Sequence, residues 1–286
     1  MAKTGAELPA PARTPVALRA AGARIYGEWL RPASAPDRPV LVLLHEGLGC
    51  TGFWKDLPEI LALRHGLAVF LYDRRGYGRS DPEPLPRPFD YLDRMALDEL
   101  PAVLQAAGIE QAILLGHSDG GTIALLAAAA FPERVRAVIA IAAHAFVEEK
   151  TLLGIRAAVA AFAHGELRRK LERFHGPRTE AVFRAWAETW LAPDFRSWTV
   201  EDRLRAVRCP VLLLQGEADE YASAEHLTAI ARALGGPVRA RLLPGAGHVP
   251  HHERRAPTLA AIDAFLDELR ADEGGQRWDC GANGRS

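Results

Sequence analysis

Cysteine is scarce in this sequence. Cys50, Cys209 and Cys280 are three of 286 residues, an odd number with no metal-ligand spacing. No cysteine-built metal site is expected, and a reduced, cytoplasmic setting is the default reading. Long apolar runs are missing too. The longest, 123–131, falls far short of the ~18 residues of a membrane span, so no membrane partner is expected. Residues 1–20 contain Pro9, Pro11 and Pro15 with scattered charges, and no apolar core of a signal peptide. Neither sign of charge dominates, with 35 Lys and Arg against 36 Asp and Glu. Such a balance offers nucleic acid no basic footprint. Internal repeats are also lacking. What remains, 49% hydrophobic and 25% charged, is an ordinary globular composition long enough for one large α/β domain.

Short apolar runs alternate with longer helical patterns. The runs at 40–44, 68–72, 112–115, 136–142, 211–215 and 238–243 are nearly continuous in apolar residues, as strands buried on both faces of a parallel sheet would be. Segments near 53–65, 91–107 and 120–131 are long enough for crossover helices. Together they predict an α/β fold with a mostly parallel sheet. Residues 16–19 and 24–30 around Gly22 read as a leading hairpin. The alternation breaks from about 144 to 203, where only helical stretches occur, rich in aromatics that include Trp186 and Trp190. Those two are four residues apart and share a helix face. They either glue the segment to the sheet or line a pocket beneath a lid. The organisation expected is therefore a sheet domain in two parts, 15–144 and 204–270, a helical insertion at 145–203, and loose termini at 1–14 and 271–286.

The chemistry concentrates in Gly116-His117-Ser118-Asp119-Gly120, between the 112–115 strand and a helix. This is G-x-S-x-G in a strand–turn–helix context. Side chains at 116 and 120 would clash with the neighbouring strand and helix, while the turn lifts Ser118 above the strand ends. The serine is either a nucleophile or merely a helix cap. A nucleophilic serine needs a base, and the base an orienting acid. After the 211–215 strand come Glu217, Asp219 and Glu220; after 238–243 comes Gly245-Ala246-Gly247-His248. Glu148 is a more remote acid, and His251 and His252 are expected to be solvated or structural.

Five motifs in this order resemble the α/β-hydrolase family, in the branch with an inserted helical cap. They are His45-Glu46-Gly47-Leu48-Gly49, Tyr72-Asp73-Arg74-Arg75-Gly76-Tyr77-Gly78-Arg79-Ser80, the serine elbow, Gly216-Glu217-Ala218-Asp219, and Gly245-Ala246-Gly247-His248. The resemblance spans about 16–269. It implies Ser118 as nucleophile, His248 as general base and Asp219 as acid, with the oxyanion received by the backbone N–H groups of Gly47 and Asp119. The family pattern after His45 is usually glycine; Glu46 stands there instead, which leaves the donor open between Gly47 and a neighbour. His45 is expected to anchor its loop. The Asp73–Asp81 stretch is expected to pack behind the site, with Arg79 and Asp81 as a solvated pair.

The activity implied is metal-free, cofactor-free hydrolysis of a carboxylic ester or lactone. Carbon–carbon bond hydrolysis of an aromatic ring-cleavage product, or a slowly hydrolysing small-molecule receptor, are the alternatives. Glu46, His144, Phe146, Trp186 and Trp190 are the expected substrate contacts. Glu46, Asp119, Glu217 and Glu220 gather near the serine, and no Lys or Arg occurs in the elbow or in the loops 45–49 and 245–252. An apolar substrate that is neutral or cationic is therefore expected, unless Glu46 and Asp119 point away and are neutralised by Arg74, Arg75 or backbone N–H groups.

Overall fold

The computed structural model describes residues 11–32, 35 and 39–273. Eight strands form one sheet in the order β1-β2-β4-β3-β5-β6-β7-β8. They are β1 (Thr14–Ala20), β2 (Ala23–Leu30), β3 (Val40–Leu44), β4 (Val69–Tyr72), β5 (Ala112–His117), β6 (Val135–Ile141), β7 (Val211–Gly216) and β8 (Val238–Leu243). β2 is antiparallel to both β1 and β4 and forms the expected hairpin with β1, while the other adjacent pairs are parallel. The helices are α1 (Leu57–His65), α2 (Tyr91–Arg94), α3 (Leu100–Ala106), α4 (Asp119–Ala130), α5 (Glu149–Ala163), α6 (Glu166–His175), α7 (Thr179–Leu191), α8 (Glu201–Leu204), α9 (Ala224–Ala233), α10 (Pro250–Glu253) and α11 (Arg255–Glu273). A π turn, Met95–Glu99, joins α2 to α3; Pro101, just beyond it, has no N–H for the carbonyl four residues earlier. Among the described residues no helix is long and apolar enough to cross a membrane.

Strand alternation sorts the core into two layers. Val40, Val42 and Leu44 face one layer with α4 residues such as Ile123. Leu41 and Leu43 face the other, with Leu57 and Leu61 of α1 and Ile262 and Phe265 of α11. Because β3 to β7 are covered on both faces, their sequences are nearly continuous apolar runs, with the exposed Arg136 near the start of β6 as an interruption. β8 departs from that expectation: its first five residues are exposed, since it is an edge strand paired only with β7. The termini depart as well. Thr14 already lies in β1, Arg13 pairs with Glu28 and Glu59, and α11 runs to Glu273. The loose ends expected at 1–10 and 274–286, Cys280 included, lie outside the described residues.

The strand order positions the site. β3 lies between β4 and β5, and the connection leaving β3 runs to β4 on one side while that leaving β5 runs to β6 on the other, which opens a crevice at the strand ends between them. Leu44 pairs with Gly116, so the His45 loop and the serine turn leave the sheet side by side. Gly216 pairs with Leu243, which likewise brings together the loops carrying Asp219 and His248. Between β6 and β7 the chain makes α5 to α8; its outgoing and returning ends meet in a bridge between Phe146 and Thr199.

Candidate active site

Ser118 sits between β5 and α4 with φ 52° and ψ −118°, a conformation that non-glycine residues avoid. Neighbouring glycines make the turn possible. A Cβ on Gly116 would overlap the Gly120 carbonyl, and one on Gly120 would overlap that of Leu44. The serine is the N-cap residue of α4, yet its side chain makes no capping hydrogen bond. The hydroxyl is thus left to the cavity, at the positive end of the helix dipole.

His248 faces the same cavity. Its Nδ1 lies 3.0 Å from Oδ1 and 2.9 Å from Oδ2 of Asp219. The carboxylate is fully buried and also accepts from the Tyr221 and Ala222 backbone N–H groups at 2.8 and 3.1 Å, and from Gln215 Nε2. Burial by itself would raise the Asp219 pKa, but the His248 imidazole and the Tyr221 N–H overcome it and hold it at about 2. Burial acts on His248 in the opposite sense; the Asp219, Glu220 and Glu46 carboxylates outweigh it and raise its pKa. Ser118 and His248 are not hydrogen-bonded to each other here, and such contacts often tighten only around a substrate.

The other acids find separate partners. Glu217 accepts from Gly245 N at 3.2 Å, and Glu220 from His248 N at 3.1 Å. Glu148 accepts from Ser223 and lies 3.2 Å from His226 Nε2, away from His248. His251 is buried among Trp54, His117 and His252, and His252 Nε2 donates to the Phe53 carbonyl.

Behind the loop after β3, His45 Nδ1 donates to the Glu46 carbonyl at 2.8 Å, and Nε2 accepts from Arg74 N at 3.1 Å. The buried Arg74 guanidinium donates to the His45 and Glu46 carbonyls at 3.0 and 2.8 Å. These bonds turn the loop's carbonyls away from the cavity, which Gly47 and Asp119 both line. Burial opposes charge on the Asp73 carboxylate and raises its pKa, although the Thr51 and Arg79 N–H groups donate to it. The expected Arg79–Asp81 pair does not form. Arg79 lies over the Tyr26 ring, while Asp81 pairs with Arg24 at 3.5 Å.

The cavity measures about 230 Å³. Of the residues expected to contact substrate, Glu46, His144, Trp186 and Trp190 line it, whereas Phe146 is not among the lining residues and instead stacks on His226 at 4.2 Å. The two tryptophans differ. Trp186 stands over Gly47, while Trp190 Nε1 donates to Tyr91 OH at 2.9 Å, which in turn donates to Asp119 Oδ2 at 2.8 Å. Burial, then the nearby His226 and His248, push the His144 pKa well down, so it lines the wall as a neutral ring. Glu220 lies at the wall, near the serine where the sequence put it, whereas sequence reasoning missed His117, Tyr221 and Leu171 as wall residues. His117 carried a signal, since it adjoins the assigned Ser118; Leu171 carried none. Glu46, Asp119 and Glu220 put three carboxylates on the wall, with no Lys or Arg. Among the described residues no group of three His, Cys, Asp or Glu side chains converges as metal ligands would. A larger groove of about 830 Å³, between Pro86, Phe89 and α7, contains no histidine.

Comparison with known proteins agrees with the fold. The family model described as the α/β hydrolase fold matches residues 39–204. The chain is 30% identical to the serine hydrolase BPHL of Homo sapiens, over 73% of each chain. It is 43% identical to a putative carbamate hydrolase, RutD, of Azorhizobium caulinodans, over 34% of this chain and 35% of that protein. A meta-cleavage product hydrolase from Pseudomonas fluorescens superposes with a TM-score of 0.69 at 17% identity, covering 88% of this chain and 97% of the other.

Proposed function

The chain belongs to the α/β-hydrolase fold family, and from that premise we propose that it is a serine hydrolase cleaving a carboxylic ester or lactone through an acyl-enzyme on Ser118. The observation that carries this reading is the Asp219–His248 pair at 2.9 Å, opening into the same cavity as the strained, uncapped Ser118. Ser118 Oγ attacks the substrate carbonyl while His248 Nε2 takes its proton. Asp219 holds the Nδ1–H tautomer and stabilises the imidazolium without itself taking the proton. The backbone N–H groups of Gly47 and Asp119 receive the oxyanion. His248 then protonates the leaving oxygen, and a water activated by the same ring releases the acid. Helices α5 to α8 act as a cap over the cavity, with Trp186 and Leu171 forming its apolar wall. The three wall carboxylates favour neutral or amine-bearing esters over anionic ones. The carbamate named for the Azorhizobium relative would be attacked at its carbonyl by the same steps.

The test is a screen of the purified protein against p-nitrophenyl esters of graded length, lactones, a carbamate and a vinylogous aryl diketone, with fluorophosphonate labelling in parallel. The wild-type chain should take the label and Ser118→Ala should not, with kcat on the best ester falling at least ~10⁴-fold. Ser118→Ala retaining a tenth of the activity would overturn the mechanism; bleaching of the diketone with no ester turnover would move the chain to carbon–carbon bond hydrolysis.

A further inference from the structure

Glu46 occupies a position where the family pattern has glycine, and none of the acyl-transfer steps uses its side chain. The local chain makes room for it. Gly49 N donates to the Glu46 carbonyl at 3.1 Å, and a Cβ on Gly49 would collide with the Glu46 carboxylate. That carboxylate reaches His117 Nδ1 at 3.5 Å. The other nitrogen of the ring, Nε2, donates to the backbone carbonyl of His248 at 2.8 Å. His117 is buried, and its ring packs against His248 at 5.1 Å and His251 at 4.8 Å.

The geometry makes this acid and this imidazole one unit. A carbonyl can only accept, so Nε2 carries a hydrogen and donates it to the His248 carbonyl. The Glu46 carboxylate stands on the ring's opposite side, against Nδ1, and keeps the ring oriented with Nε2–H toward the His248 loop. His117 also directly precedes Ser118 in the chain, so it shares the backbone of the serine turn. On the other side, the loop Gly245-Ala246-Gly247-His248 contains two glycines and has the freedom to move its histidine.

We propose that Glu46 and His117 form a positioning pair, which ties the backbone of the His248 loop to the serine turn and holds base and nucleophile in one frame. The inference rests on the reading of Ser118 and His248 as nucleophile and base. It differs in kind from the role of Asp219, which acts on the His248 ring. The pair acts on the His248 main chain, so its loss displaces the imidazole without changing its tautomer. Displacements of about 1 Å at a reacting group cost up to ~10²-fold in rate.

Three variants test it: His117→Leu, which removes the donor; His117→Gln, whose side-chain amide can restore it; and Glu46→Ala, which leaves the buried core untouched. kcat and KM are measured on a neutral p-nitrophenyl ester at the alkaline plateau, where His248 is neutral and lost carboxylate charge no longer matters. Backbone amide exchange of residues 244–250 is measured alongside. His117→Leu should lower kcat by about 10–100-fold with KM within about 3-fold, and should accelerate exchange in 244–250. His117→Gln should recover most of both, and Glu46→Ala should show a smaller loss of the same kind. Unchanged kcat in His117→Leu and Glu46→Ala, a loss confined to KM, or a His117→Gln variant as damaged as His117→Leu would each overturn the proposal. If the wild type neither takes the fluorophosphonate label nor turns over an ester, the catalytic reading has failed. The exchange data then decide the tether by themselves, and unaltered exchange in both His117→Leu and Glu46→Ala refutes it.

Discussion

Asp219→Asn changes one atom and tests the site at its most determined point. Oδ1 of Asp219 accepts from the Tyr221 and Ala222 N–H groups and Oδ2 from Gln215 Nε2, while His248 Nδ1 lies 3.0 Å from Oδ1 and 2.9 Å from Oδ2. An asparagine must keep its oxygen against the two backbone donors, because reversing the amide would set donor against donor twice. Its NH₂ group then occupies the Oδ2 position, the nearer of the two to His248 Nδ1, and donates to that nitrogen, while the Gln215 amide turns its oxygen to the other hydrogen. That selects the Nε2–H tautomer, which cannot accept the Ser118 proton. A kcat loss of about 10³–10⁴-fold is expected, the scale of a wrong tautomer in such a site. Stability should fall as well. A carboxyl held at about 2 rather than its ordinary 3.8 favours the anion in the folded state by about 2 kcal/mol. That contribution is present at neutral pH and is lost as pH falls from about 3.8 through about 2. The pH profile adds a signed check. Asp219 helps raise the His248 pKa, so in the variant the rising limb of kcat/KM should move to lower pH while its plateau drops. Ester kinetics from pH 5 to 9, urea unfolding and the imidazole ¹⁵N shifts of His248 measure all three. Retention of a tenth of the wild-type plateau, or a limb displaced to higher pH, would refute the reasoning.

Trp190→Ala should cost about 3–5 kcal/mol of stability, because Trp190 is buried and anchors the Tyr91–Asp119 chain, with similar rate losses on acetate and bulky esters. Trp186→Ala, at the wall above Gly47, should instead lower kcat/KM selectively for bulky esters, by about tenfold for one lost apolar contact; matched ester series and melting curves separate the two. Glu99 is raised to about 7 by burial, despite Arg74 nearby, against an ordinary 4.5. The folded state thus keeps a proton that the unfolded state has released between pH 4.5 and 7, and wild-type stability should fall across that window by about 3 kcal/mol relative to Glu99→Gln, as read by denaturant melts at pH 5 and 8. Among matched esters differing only in a distal amine or carboxylate, the amine-bearing member should react faster at low salt, and Glu46→Gln should narrow the gap. Faster reaction of the carboxylate-bearing ester would refute the charge argument.

The strands, the serine turn and their order were legible in the sequence because each is set by local physics. Strands covered on both faces need unbroken apolar runs, and β3, β5 and β7 have them. A turn that forces Ser118 to φ 52° needs glycines where neighbouring backbones approach. Partner choice was not legible in residue chemistry alone, and only the family resemblance pointed to Asp219. Glu217, Asp219, Glu220 and Glu148 are chemically near-equivalent, and only Asp219 reaches the His248 ring. That distinction depends on β7 and β8 lying side by side and on the register of Gly216 with Leu243. Glu46 read as a charge at the mouth of the site and does line the cavity, but its contact with His117 was not legible. Phe146 read as a pocket residue and stacks on His226 instead, and β8 read as buried but lies at an edge. Residue type and periodicity decide how a segment folds against its immediate neighbours. Where a side chain ends, and which of several like charges meets a given base, is decided by distances between segments far apart in the chain, and those exist only once the sheet is assembled.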